Sequence, residues 1–297
     1  MKKVNREPLT SDIIFKAVYG RDTPESKEAL IALLNLVLER EADQIVDITY
    51  KNPFSITDDY KGKTIIMDIR AQTDKCELID IEMQIGELDV YIRRTVYYGC
   101  RQISECLASG DGYGKIKKSI VISFVKGRLF SPEVPMHSVY TLHERSIFRE
   151  LSDILELHYI ELDKIQYERK QAEEMSGLEQ LCAYIKCSGN PDEKAYVEEL
   201  VKKGGEVIGM TDKVLKKVSG DEKLRELRLA REKMELWIAM ERRAGYDNGR
   251  SEGYSEGEIE GAENKAREIA ANMKSDGEPI KKIEAYTGLS EEEIAKL

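Results

Sequence analysis

Lys63-Thr64-Ile65-Ile66-Met67-Asp68-Ile69-Arg70-Ala71 and Glu77-Leu78-Ile79-Asp80-Ile81-Glu82-Met83-Gln84-Ile85 each alternate apolar with polar residues. That period belongs to strands. Ile65, Met67, Ile69 and Ala71 share one face of the first run, and Ile79, Ile81, Met83 and Ile85 share one face of the second, so both sets are expected inward. The connection around Thr73-Asp74-Lys75-Cys76 is short enough for a hairpin, which makes the strands antiparallel neighbours. With the turn centred near Lys75, paired residue numbers add up to about 150. Asp68 then faces Glu82 and Arg70 faces Asp80, with Gln84 on the same side as Glu82.

Directly opposed side chains have Cβ atoms about 4.5–5.5 Å apart. Two carboxylates so placed repel unless a proton or cation lies between them. A hard divalent ion such as Mg²⁺ takes carboxylate oxygens and water, and beside a phosphodiester it activates water and neutralises developing charge. Spacing alone leaves a second reading open, in which these are ordinary solvent-facing strand positions and Arg70–Asp80 is a cross-strand pair. Asp12, Asp58 and Asp59 are further candidate ligands, with equal claims as caps or turn residues.

Working outward, Thr23 caps a helix over 24–41 that begins with Pro24 and turns Leu30, Leu33, Leu34, Val37 and Leu38 to a core. A strand is predicted over 44–50, ending near Asn52-Pro53. A second helix is predicted from Leu88 to Ala108, packed through Ile92, Val96, Ile103 and Leu107. Its Arg93, Arg94, Tyr97 and Arg101 lie around another side, where the arginines, with Lys115, Lys117 and Lys118, have two readings: phosphate contacts or solvated ion pairs. A strand follows at 116–124, giving an α-β-β-β-α-β core with a mixed sheet flanked by helices; an irregular stretch then leads to 139–142, and 154–162 reads as one more strand. Helices are predicted at 168–188, 191–203 and 221–243.

Gly245, Gly249, Gly253, Gly257 and Gly261 then recur every four residues among polar neighbours, unlike the apolar setting of a membrane packing motif. The tract reads as a flexible linker or as a helix with a narrow glycine stripe. Gly288 suits a left-handed helix end, and Ser290-Glu291-Glu292-Glu293 is a capping box. The organisation expected is a core over 1–165, a helical region over 166–244, the glycine tract over 245–262 and a small helical segment over 263–297.

Of 297 residues, 34% are charged and the formal net charge is -10. Residues 1–145 carry 21 Lys and Arg against 22 Asp and Glu, whereas 146–297 carry 25 against 34, so the acidity belongs to the second half. An all-purpose nucleic-acid binder is disfavoured, but a local basic face on the first half is not. Five cysteines without a CxxC pair and only three histidines argue against structural zinc and fit a reducing cytoplasm. No apolar run suggests a signal peptide or membrane span. His137, His143 and His158 read as surface or satisfied interior residues, Gly110–Gly114 lacks the context of a nucleotide loop, and Met234–Met240 reads as helix packing.

Several runs in order carry a family resemblance: Ser11-Asp12-Ile13-Ile14-Phe15-Lys16, Leu33–Leu38, Met67-Asp68-Ile69-Arg70-Ala71, Ile81-Glu82-Met83-Gln84, Arg93–Tyr98, Gly110–Tyr113, Glu161-Leu162-Asp163-Lys164, the glycine tract and Thr287–Ile294. Taken together they resemble the recombination-promoting nuclease and transposase family, a branch of the PD-(D/E)XK nuclease superfamily. The resemblance implies an α/β, restriction-endonuclease-like fold with an α-helical C-terminal extension, and Mg²⁺-dependent (or other divalent cation) hydrolysis of DNA linked to recombination. It makes Asp68 and Glu82 the metal-binding carboxylates and puts Gln84, as a third catalytic residue, where the superfamily usually has lysine. Positive charge must then come from elsewhere, with Lys16 or an arginine of the second helix (Arg93, Arg94) as candidates and Asp12 as an accessory acid. A homo-oligomer formed through the C-terminal helices is the partner expected besides DNA. The competing readings are a catalytically weak DNA-binding or protein-assembly module, and a phosphodiesterase acting on RNA or nucleotides.

Overall fold

A computed structural model describes residues 6–52, 54–55, 65–86, 88, 90–166 and 172–297; Asp58, Asp59, Pro53, Lys63 and Thr64 lie outside them. The chain divides into two units, 1–229 and 230–297.

In the first unit, α1 (Asp12–Tyr19) and α2 (Pro24–Val37) precede a six-stranded sheet. Its strands are β1 (Ile48–Tyr50), β4 (Ile69–Thr73), β5 (Leu78–Ile85), β6 (Ser119–Lys126), β8 (Glu150–Glu161) and β7 (His137–His143), in that spatial order. β1, β4 and β5 are antiparallel, β5, β6 and β8 run parallel, and β7 returns antiparallel at the edge. β2 (Phe54–Ser55) and β3 (Ile65–Ile66) form a separate two-stranded ribbon. α3 (Tyr91–Ser104) lies against one face of the sheet. α1, α2, α4 (Gly177–Cys187), α5 (Lys194–Lys203) and α6 (Glu206–Ser219) share one buried apolar cluster with the other face.

The hairpin register is the one predicted: Ile69 pairs with Ile81 and Arg70 with Asp80. The first run, however, is broken rather than continuous. At Met67-Asp68 the chain leaves one ladder before entering the next, because side chains take over its hydrogen bonding there. On the second run, Ile79, Ile81 and Met83 join the main core as expected, whereas Ile85 at the strand end is exposed.

The expected 44–50 strand is confined to Ile48–Tyr50. The amide of Asn35 on α2 substitutes for a strand partner there: its Nδ2 donates to the Ile45 carbonyl (2.9 Å) and its Oδ1 accepts from the Ile45 N–H (2.8 Å). α2 starts as read, with Thr23 Oγ1 accepting from the Ser26 N–H, and stops at Val37, short of the expected 41.

α3 presents a different face from the one predicted. Ile92 and Val96 are exposed, while Tyr91, Thr95, Tyr98, Gly99 and Gln102 meet the sheet. The sheet surface beneath is mixed: Tyr91 and Ile103 pack on Val121, Val125, Leu155 and Leu157, while Thr95 bonds the Tyr159 hydroxyl (2.5 Å) and Gln102 accepts from Ser119 (2.8 Å). Gly99 permits the approach, since a Cβ there would lie 2.4 Å from Leu155 Cδ1.

α6 was not among the predicted helices, because Gly204, Gly205, Gly209 and Gly220 obscure the spacing of its buried Ile208, Thr211, Val214, Leu215 and Val218. Gly189, just after α4, has φ +86°, and a Cβ there would sit 2.4 Å from the Pro8 nitrogen. Gly189→Ala is therefore expected to lower unfolding stability by about 2–4 kcal/mol in urea melts, from strain plus backbone overlap; unchanged stability would contradict this close approach.

α7 (Glu222–Ser275) runs through the glycine tract without a break, so the tract is helical rather than a linker. In the second unit, Ala266, Ala270 and Met273 of α7 close on Ile283 of α8 (Ile280–Thr287), Leu289 and Ile294 of α9 (Glu291–Lys296). Gly288 ends α8 at φ +72°, and Ser290 and Glu293 form the capping box, both as read from the residues.

Candidate metal centre

The break at Met67-Asp68 creates a reciprocal clasp. The Asp68 N–H donates to Glu82 Oε1 (3.0 Å), and the Met83 N–H donates to Asp68 Oδ2 (3.2 Å). Each carboxylate is thus fixed by the backbone of the opposite run, and the structure brings Asp68 and Glu82 together as the alternation requires. Lys16, on α1, approaches the other Asp68 oxygen, Oδ1, at 3.5 Å. α1 is anchored by buried Phe15, whose ring packs on Tyr19 and Phe124. Asp12, at the head of the same helix, bonds its own first turn through the Ile13 N–H (2.7 Å), and its charge opposes ionisation of Asp68.

α3 covers the polar side of β5, whereas Asp68 at the break and Lys16 on α1 stay partly exposed. Asp80, Glu82 and Gln84 are all buried. Burial raises the Asp68 carboxyl, offset in part by Lys16 and the Met83 N–H, and raises the Glu82 carboxyl well above its ordinary range, with Asp80 and Asp68 adding to the effect. Asp80 is pushed up to about 8, by burial first and by Asp68 second.

Asp80 is the member that residue reading missed. Its register partner is Arg70, but that guanidinium turns to Glu105 (2.8 Å) and to the Asn52 carbonyl (3.1 Å). Both Asp80 carboxylate oxygens are left buried without a hydrogen-bond partner. The signal was present: Asp80 is two residues before Glu82, hence on its face. What was lacking was the lid over that face.

Gln84 is held at both ends of its amide. Its Nε2 donates to the Gly86 carbonyl and more weakly to that of Ile85 (3.4 Å), and its Oε1 accepts from the Arg94 guanidinium. Arg94 lies 4.7 Å from the Tyr91 ring centre and 6.0 Å from that of Tyr98. Tyr98 in turn packs on Met67, next to Asp68, and burial pushes its hydroxyl up to about 12. Arg93 is exposed on α3.

Three of the other candidate cations are committed elsewhere: Lys115 to Asp111, Lys118 to Glu156 (2.6 Å) and Arg101 to Glu105 (3.1 Å). His137 bonds His158 (3.0 Å), and burial drives His137 down to about 4, in keeping with a satisfied interior pair.

Among the described residues, no group of three or more histidine, cysteine or acidic side chains forms a ready metal cage. The donor set instead suits Mg²⁺, which binds through one or two carboxylates and keeps several waters. Burial and mutual repulsion oppose ionisation of Asp80 and Glu82, a penalty that a divalent ion between the carboxylates would relieve.

No helix among the described residues is long and apolar enough to cross a membrane. No curated protein and no solved structure matches the chain significantly. A family model does match, over residues 9–241, spanning the sheet, the carboxylate clasp and the helices through the first part of α7. The clasped carboxylates thus lie within the matched segment, and the chain belongs to the PD-(D/E)XK nuclease family transposases.

Proposed function

We propose that the protein is a Mg²⁺-dependent DNA endonuclease that hydrolyses phosphodiester bonds and promotes recombination. The observation that carries this reading is the clasp: two carboxylates, Glu82 buried and Asp68 half-buried, each fixed by the other strand's backbone and facing one another at a break in the ladder. Asp68 and Glu82 would hold the ion, which when bound polarises the phosphate and lowers the pKa of an attacking water. Lys16 balances Asp68 and positions it. Asp12, from the same helix, adds an acid near the pair, and exposed Arg93 would contact flanking phosphate. The helices beyond residue 245 would serve assembly into a homo-oligomer in the cytoplasm.

An assembly module has no use for buried, mutually repelling carboxylates, which cost stability at neutral pH. Supercoiled plasmid, incubated with Mg²⁺, Mn²⁺ or chelator, distinguishes the two. Nicking or linearisation is expected with the metals and not with chelator, and Asp68→Ala and Glu82→Ala should lose it while remaining folded. Equal cutting by wild type and variants, or cutting indifferent to chelator, would remove the assignment.

A further inference from the structure

We infer that Arg94 is the residue that stabilises charge on the phosphate being cleaved, and that Gln84 is its positioning residue. This inference rests on the nuclease reading above and assigns the cation of that site.

Both ends of the Gln84 amide are engaged. Its Nε2 is tied to the Gly86 and Ile85 carbonyls, which fixes the amide plane and directs Oε1 at Arg94. The arginine is held on its other side by the faces of Tyr91 and Tyr98, with Tyr98 wedged against Met67 beside Asp68. Planar stacking and one strong hydrogen bond are what a guanidinium needs to be fixed before substrate arrives.

The other cations around the clasp are already paired with carboxylates: Lys16 with Asp68, Arg70 and Arg101 with Glu105. Among the described residues Arg94 has no such partner, and its Nε is buried without an acceptor. A guanidinium held in place without a carboxylate partner keeps its charge and its outer N–H groups for a phosphate.

In the step so served, a water oxygen forms a new bond to phosphorus and gives up a proton to solvent. The bond from phosphorus to the leaving sugar oxygen breaks with its electron pair, and that oxygen takes a proton from solvent. The products are a phosphate monoester and a free hydroxyl. Negative charge grows on the phosphate oxygens in between, where a preorganised guanidinium acts.

The test compares wild type with Arg94→Met, Arg94→Lys, Gln84→Ala and the double variant Gln84→Lys/Arg94→Met. Plasmid cleavage in Mg²⁺ is measured together with binding of a short DNA duplex in Ca²⁺ over a salt series, and circular dichroism verifies folding. Arg94→Met is expected to lower kcat about 100- to 1000-fold with little change in KM, and to reduce the salt slope of duplex binding by about one phosphate contact. Arg94→Lys should keep part of the rate, Gln84→Ala should lose about tenfold as the guanidinium loosens, and the double variant should recover at least about tenfold over Arg94→Met by returning a cation to the site. Wild-type kcat and salt slope in folded Arg94→Met, beside an active wild type, would overturn the role of Arg94 alone. A wild type that neither cuts nor binds duplex would overturn the nuclease reading, and this inference with it.

Discussion

Glu82→Gln is expected to reduce Mg²⁺-dependent cleavage by about 1000-fold or more, a loss of several kcal/mol of transition-state stabilisation, and to make the metal-free protein more stable at pH 8. The two effects have one cause. Glu82 is buried beside Asp80 and Asp68, so its charge is repelled and poorly solvated until a cation arrives. Glutamine preserves the shape and can still accept the Asp68 N–H through its Oε1, but carries no charge to bind the ion. Relieving an uncompensated buried carboxylate should add about 1–4 kcal/mol to unfolding stability. Plasmid cleavage and urea melts in chelator measure the two halves. A variant both inactive and less stable would show Glu82 to be a structural acceptor, and an active variant would remove it from the site.

The second large effect is the pH dependence of stability without metal. Asp68, Asp80 and Glu82 all have folded-state pKa values raised above the unfolded range, Asp80 to about 8. Between roughly pH 4 and 8 these three groups therefore bind more protons in the folded than in the unfolded state, and their contribution to stability falls as pH rises; half-buried His137, driven down to about 4, opposes them only up to about pH 6.5. The contribution is fully favourable below the unfolded carboxylate range and is lost as pH climbs through the folded value. Chelator-treated protein should thus melt at a lower temperature at pH 8 than at pH 5.5. Mg²⁺ should raise the melting temperature more at pH 8, where it meets ionised carboxylates, than at pH 5.5, where protons compete for them. A chelator-treated protein at its most stable near pH 8, or a Mg²⁺ shift that shrinks with rising pH, would mean that the carboxylates are paired in some other way.

The strand pair and its register were legible because two local signals agreed, period-two alternation and a short turn. Thr23, Gly288 and Ser290 were legible for the same reason: a cap is written in adjacent residues. What stayed hidden was set by distant contacts. The polar side of β5 resembles a wet strand face until α3 is laid on it. α3 itself misleads, since Ile92 and Val96 look like its buried seam while Tyr91, Thr95, Tyr98 and Gln102 form the real one. Asn35 replaces a strand partner for Ile45 through its side chain, which no propensity records. Asp80 looked paired because its register neighbour is an arginine, and only the path of Arg70 to Glu105 leaves it orphaned. In each case a side chain's distant partner, which local pattern does not carry, decided the role.

The most direct measurement is the anomalous scattering of Mn²⁺ in crystals of the protein grown at pH 8. The expected result is a peak within about 2.5 Å of a carboxylate oxygen of Asp68 and of Glu82, absent from crystals of Glu82→Gln. A peak elsewhere, or full occupancy by protein at the clasp with no peak at saturating Mn²⁺, would contradict the assignment of Asp68 and Glu82 as the ligands of a nuclease metal.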